Sequence, residues 1–156
     1  MFIDEFNTET DDSSLFLQGK VLSIIVDFDG TLTKGPLERR IMEFEYSIND
    51  LENHIICGLV RNLSLGYHII IVTGREEKYR EITEQWLEKH CVPFNQIWFR
   101  KNDDQRPSEI IKKEIYQDKI ENYYTPVLSI EDRTENINMW KDLGILTLEV
   151  YCIVKC

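Results

Sequence analysis

Short apolar runs closed by turn residues recur along this chain, with stretches of helical spacing between them. Lys20–Val26 reads KVLSIIV and runs into Asp27-Phe28-Asp29-Gly30-Thr31. Tyr67–Val72, YHIIIV, runs into Thr73-Gly74-Arg75. Gln96–Phe99, Pro126–Ile130 and Ile145–Val150 are three further runs of the same kind. Brief apolar runs bounded by turn signals predict buried strands. Leu51–Leu65 carries Ile55, Ile56, Leu59, Val60 and Leu63 at helical spacing, with Gly66 at the expected C′ position. Glu76–His90 predicts a second helix with Ile82, Trp86 and Leu87 inward. Pro107 is expected at the first position of a third, reaching about Asp118. Thr134 is expected to cap a fourth that carries Ile137, Met139, Trp140 and Leu143 and stops at Gly144. Strands alternating with helices predict an α/β fold: βαβ units, a mostly parallel five-stranded sheet, and helices on both faces.

Two stretches break the alternation. Residues 1–19 are polar and acidic and read as an N-terminal arm, leaving 20–156 as one domain. Thr33–Asp50, with Gly35-Pro36 and Arg39-Arg40, lacks clean periodicity and reads as an irregular active-site flap with room for a helical turn. The interval before the second strand is too short for a large inserted cap domain. A site without a large lid admits a large substrate, such as a polymer end.

Charge and composition narrow the function classes. Net charge is -10 over 156 residues, which argues against a broad electrostatic grip on nucleic acid but not against local capture of one phosphate. No run approaches the roughly 20 apolar residues of a membrane span. The start, MFIDEFNTETDDSS, does not read as a signal peptide, so the expected location is cytoplasmic. Cys57, Cys91, Cys152 and Cys156 form no C-x-x-C pair and read as free thiols. His54, His68 and His90 form no spaced motif.

The chemistry concentrates where predicted strands end. Ligands of open α/β sheets bind just beyond the carboxyl ends of strands. Two carboxylates placed there, Asp27 and Asp29, need a counter-ion, because unpaired buried acids are costly. A cation is the simplest, and a phosphate beside it the next. Thr73-Gly74-Arg75 follows the second strand, Glu131-Asp132-Arg133 the fourth, and Lys112-Lys113 sits on the helix that opens at Pro107. Taken singly, each is more often a plain turn, a helix-start acid or a solvated helix face.

Taken together and in this order, they resemble the four motifs of the haloacid dehalogenase (HAD) superfamily, with Asp27-Phe-Asp29-Gly-Thr-Leu-Thr33 matching the first. The resemblance implies a Rossmann-like three-layer sandwich without a large cap, and an Mg²⁺-dependent phosphatase. Asp27 would be the nucleophile, forming an aspartyl-phosphate. Asp29 would protonate the leaving alcohol and then activate water. Mg²⁺ would be held by the Asp27 carboxylate, the Asp29 backbone carbonyl and Asp132, with Glu131 orienting a metal-bound water or acting as the alternative ligand. Thr73 and Gly74 would hold phosphate oxygens, and Lys112 would neutralise developing charge. Lys113 points about 100° away on the helix, so only one of the pair can face the site.

A closer resemblance is to the 3′-phosphatase domain of phage-type polynucleotide kinase/phosphatase. It rests on Thr73-Gly74-Arg75, the Arg100…Asp103-Asp104-Gln-Arg106-Pro-Ser-Glu-Ile-Ile-Lys112 segment, and Ile130-Glu-Asp-Arg133-Thr…Met139-Trp140. It spans roughly Val21–Val150 and implies that Arg75, Arg39 or Arg40, and Arg106 belong to the phosphate site. Two positions depart: Ser108 stands where an acid is usual four residues before the lysine, and Glu131 replaces an Asp. No G-x-x-x-x-G-K-[ST] is present, so no kinase half is expected. The implied substrate is a phosphorylated nucleic-acid end, with a separate kinase or ligase as partner and a homo-oligomer left open. The alternatives are a nucleotidase or small-metabolite phosphatase of the same chemistry, and a non-catalytic HAD-like binding module. Retention of both Asp27 and Asp29 speaks against the last.

Overall fold

The computed structural model describes residues 16–17, 19–35 and 44–151. Most of the expected N-terminal arm, Arg39, Arg40, Cys152 and Cys156 lie outside the described residues. The elements are β1 (Phe16–Leu17), β2 (Lys20–Val26), β3 (Thr33–Gly35), β4 (Leu51–Glu52), α1 (His54–Leu63), β5 (His68–Glu76), α2 (Arg80–Lys89), β6 (Gln96–Arg100), α3 (Ser108–Ile115), β7 (Tyr124–Glu131), α4 (Thr134–Asp142) and β8 (Thr147–Glu149).

The central sheet has the order β6-β5-β2-β7-β8, every pair on this path parallel. β1 adds a short antiparallel pairing to the start of β2, Phe16 opposite Val21. The chain winds from β2 outward through β5 to β6, then returns to β7 on the other side of β2. β2 and β7 therefore flank the point where the winding direction reverses, the place at which α/β sheets open a ligand crevice.

The apolar runs are continuous because both faces of the sheet are covered. Ile24, Val26, Ile69 and Ile71 face one layer with Ile56 and Val60 of α1 and Trp86 and Leu87 of α2. Ile25, Ile70 and Val72 face the other, with Ile120, Met139, Trp140 and Ile145. The split by odd and even position is the two-residue alternation of a strand. Phe28, between the two motif acids, is fully buried and meets Trp86 edge-on at 5.1 Å. Its burial is worth about 1.5–3 kcal/mol, which anchors the loop carrying both acids.

Several local expectations shift. The flap holds the helical turn for which its sequence left room, of 3₁₀ type at Phe44–Asn49, and in addition an unexpected antiparallel pairing of β3 with β4. Leu51 and Glu52 thus belong to a strand, and α1 starts at His54. Ile55 is exposed and Cys57 takes the buried position on α1. Ser64, not Gly66, ends that helix, and Gly66 keeps an ordinary φ. On α2, Thr83 is fully buried and Ile82 only half so. Pro107 precedes α3 in extended conformation, where its missing N–H costs no helical bond. Thr134 makes no capping bond, and Arg133 occupies the position before the helix. Gly144 does close α4, with φ +79.

Candidate active site

β2 and β7 bring the first and last motifs side by side. Val26 pairs with Ile130, and the Asp27 N–H donates to the Ile130 carbonyl at 3.0 Å. Asp27, just past the end of β2, therefore comes level with Glu131, the last residue of β7, and Asp132 beyond it. One carboxylate oxygen from each of Asp27, Glu131 and Asp132 lies within 4.8 Å of the other two. α3 lays Lys112 across them. Its ammonium donates to Asp27 Oδ1 at 2.5 Å and to Glu131 Oε2 at 2.7 Å. Lys112 is buried and Lys113 is exposed, as the 100° step between helix neighbours requires. Thr31 Oγ1 donates to the other Asp27 oxygen at 3.1 Å.

Three acids and one ammonium in a buried site leave an excess of negative charge. Burial, and then the Glu131 carboxylate, push Asp27 well above the usual carboxylate range. Burial and Glu131 also push Asp132 up to about 7. Burial alone would lower Lys112, but Asp27 and Glu131 outweigh it and hold the ammonium protonated. Burial alone would raise Glu131, but Lys112 outweighs it and keeps the group charged. Asp132 Oδ1 is buried without a hydrogen-bond partner. An all-oxygen set with one buried, unpartnered carboxylate oxygen suits a hard divalent cation such as Mg²⁺. Asp27, Asp132 and Glu131 fit that role on chemistry, with Glu131 shared with Lys112. The Asp29 carboxylate is outside this group.

Gly30 makes room for the cluster. It has φ +84, and a Cβ built on it would lie 2.0 Å from Asp132 Oδ2. Both the backbone conformation and the close approach require glycine.

β5, next to β2, carries Thr73, Gly74 and Arg75 near its end, ahead of its last residue Glu76, rather than as a loop beyond it. The Arg75 N–H donates to Thr73 Oγ1 at 3.1 Å. Gly74 lies against α3, where an added Cβ would be 3.4 Å from Ser108 Oγ. The Gly74 carbonyl accepts from Arg100 Nε at 3.0 Å, and Arg100 also donates to the carbonyls of Asp104 and Arg106. Arg100 thus ties the 101–107 loop to the Thr-Gly-Arg strand end.

Two arginines expected on the phosphate stand elsewhere. Arg75 is 1% exposed, and its guanidinium forks onto Asp29, Nε to Oδ2 at 2.8 Å and Nη2 to Oδ1 at 2.6 Å. Nη1 donates to Ser47 Oγ at 2.9 Å and Thr83 Oγ1 at 3.0 Å, and Asp50 lies 3.7 Å from Nη2. Four of its five donors are in hydrogen bonds and the last turns toward Asp50, so none is left for a phosphate. Arg106 forks onto both Asp104 and Glu114 at the surface. Four of its five donors meet these carboxylates, and the side chain stays half exposed.

Sequence reasoning missed Ser47, Asp50 and Thr83, which surround Arg75. A polar residue at an inward helical position, Thr83 on α2, was the available signal. An open groove of about 630 Å³ runs along α2 to the segment before β6, lined by Glu81, Glu84, Glu88, Cys91, Val92 and Phe94, and includes none of the candidate site residues.

Comparison with known proteins bears on this arrangement. A family model described as the polynucleotide kinase PNKP phosphatase domain matches residues 22–152. A putative bifunctional polynucleotide kinase/RNA ligase of Autographa californica nuclear polyhedrosis virus is 25% identical over 134 residues, covering 83% of this chain and 19% of that protein. A chain in a structure of the Pnkp1/Rnl/Hen1 RNA repair complex superposes with TM-score 0.80 at 28% identity, over 90% of this chain and 47% of that one. A second structure of the Pnkp1/Rnl/Hen1 complex gives TM-score 0.81 at 28% identity, over 86% of this chain and again 47% of its counterpart. This chain thus spans a fifth to a half of the relatives it matches.

Proposed function

Since the chain belongs to the polynucleotide kinase PNKP phosphatase domain family, we propose that it removes the terminal phosphate from the 3′ end of a polynucleotide. The observation that carries the chemistry is the Lys112 ammonium bridging Asp27 and Glu131 beside Asp132 at the β2/β7 strand ends. RNA is the favoured polymer, because the relatives' names pair the kinase with an RNA ligase and an RNA repair complex. On the same ground, a separate kinase or ligase is the proposed partner.

The residues divide the work as follows. Asp27 attacks phosphorus in line and becomes an aspartyl-phosphate, replacing one hard displacement by two easier ones. Thr31 and Lys112 fix its two oxygens, so the attacking atom is aimed before substrate arrives. Asp29 protonates the departing 3′ oxygen and then takes a proton from the hydrolytic water. Lys112 reduces the repulsion between carboxylate and phosphate. Thr73 and Gly74 offer a hydroxyl and an N–H to the phosphate oxygens. A bound Mg²⁺ held by Asp27, Asp132 and the Asp29 carbonyl would supply further charge neutralisation. Arg39 or Arg40, in the sequence after β3, is proposed to supply a guanidinium to the phosphate site.

A nucleotidase is the second reading, favoured by the net charge of -10, which offers little grip on a polymer. Steady-state kinetics with Mg²⁺ on 3′-phosphorylated oligonucleotides, 3′-nucleotides, 5′-nucleotides and sugar phosphates separates the two. A preference of at least about tenfold in kcat/KM for the oligonucleotide supports 3′-end repair. Equal or better turnover of free nucleotides overturns it.

A further inference from the structure

Asp29 is the residue whose direction matters most to the proposed proton transfers, and it is held in an unusual way. Both of its oxygens accept from one guanidinium, in the planar fork that fixes a carboxylate in orientation as well as distance. Its side chain is 36% exposed, while that of Arg75 is at 0%. Asp29 is therefore partly exposed on one side and braced by the buried Arg75 on the other.

The brace has its own supports, from three directions. Ser47 and Asp50 come from the turn that ends the flap, and Thr83 comes from α2. Thr83 in turn donates to the Tyr79 carbonyl at 2.7 Å, which orients its lone pairs toward Arg75. The Phe28 and Phe44 rings lie 4.4 and 4.6 Å from the guanidinium carbon and close off the remaining faces. Phe44 and Ser47 belong to the same 3₁₀ turn, so the flap's return stroke packs directly onto the brace. Burying a cation on this scale is costly unless every donor is used. Such an outlay makes sense where a direction must be held.

We propose that Arg75 acts in the reaction only through Asp29, as a positioning residue set by the Phe44–Asp50 turn and Thr83, and that it makes no contact with the substrate phosphate. The inference rests on Asp29 being the acid/base of the proposed phosphatase.

The test compares leaving groups. Arg75→Lys keeps the charge and loses the fork. With a 3′-phosphorylated oligonucleotide, whose alkoxide leaving group needs a proton, kcat/KM falls about 10²-fold. With p-nitrophenyl phosphate, whose leaving group departs unprotonated, kcat/KM falls less than about threefold, since the general acid contributes little there. In an Asp29→Asn background the further change is under about twofold for both substrates, because coupled residues do not act additively. Ser47→Ala and Thr83→Ala each remove one acceptor and reproduce the same selective loss at smaller size, which keeps the test decisive if Arg75→Lys folds poorly. An equal loss on both substrates, or a further loss beyond about fivefold in the Asp29→Asn background, assigns Arg75 a role of its own and overturns the proposal. A wild-type protein that hydrolyses neither substrate overturns the phosphatase reading instead.

Discussion

Replacing Lys112 by Met isolates the electrostatic design of the site. The long apolar stem of Met fills the same channel, so the change is chiefly one of charge. It leaves Asp27 and Glu131, at 6% and 1% exposure, facing each other with no cation between them. Removing one partner of a buried ion pair costs about 3–5 kcal/mol. For a chain of this size, 1 kcal/mol moves the melting temperature by about 2–4 °C, so a fall of about 6–20 °C is expected. The sign with pH follows from the remaining acids. In the wild type the raised Lys112 holds its full contribution at every pH below its unfolded value of 10.5, so that term is flat between pH 5 and 8. In Lys112→Met the two carboxylates bind protons more readily folded than unfolded, so stability falls as pH rises through this window. Melting curves in EDTA at pH 5 and pH 8 measure both effects. The loss should be larger at pH 8, and adding Asp27→Asn should recover part of it. A shift below about 2 °C at pH 8, or one independent of pH, refutes the view that Lys112 balances buried charge.

Other outcomes follow from single contacts. Gly30→Ala places a methyl on Asp132 at a φ of +84, and should weaken Mg²⁺ binding by at least about tenfold by calorimetry; unchanged affinity would show that Asp132 is not a ligand. Asp29→Asn should slow alkyl phosphates by about 10²–10⁴-fold and p-nitrophenyl phosphate far less, and equal losses would remove its acid role. Glu52 is lowered because Arg61 and His54 outweigh its burial, so its contribution is present above its unfolded value of 4.5 and lost as pH falls further. Glu52→Gln should therefore lower the melting temperature at pH 7 and make the acid limb of the stability curve shallower, and an identical limb would contradict this.

The fold was legible because five apolar runs each needed burial on two faces, and only a sheet between helix layers supplies that. The site was legible because its residues follow directly on those runs: Asp27 after β2, Thr73 near the end of β5, Glu131 and Asp132 at the end of β7. Helix geometry showed that only one of Lys112 and Lys113 could face the site, and the resemblance chose Lys112. Arg75 and Arg106 were placed on the phosphate by resemblance, and no local pattern reveals which carboxylate a guanidinium will choose. That choice depends on Ser47, Asp50 and Thr83, which come from two elements distant in sequence and meet only in the folded chain. The short hairpin of β3 and β4 was hidden for a similar reason. Its strands are three and two residues long, too brief for an alternation to show.

Transfer of phosphate to Asp27 is the step on which everything else depends. A 3′-³²P-labelled oligonucleotide mixed with the protein and Mg²⁺, then quenched in acid within milliseconds, tests it directly. Label is expected on the protein in a form released by hydroxylamine, and none on Asp27→Asn. Release of phosphate by the wild type with no label on the protein at any time would contradict it.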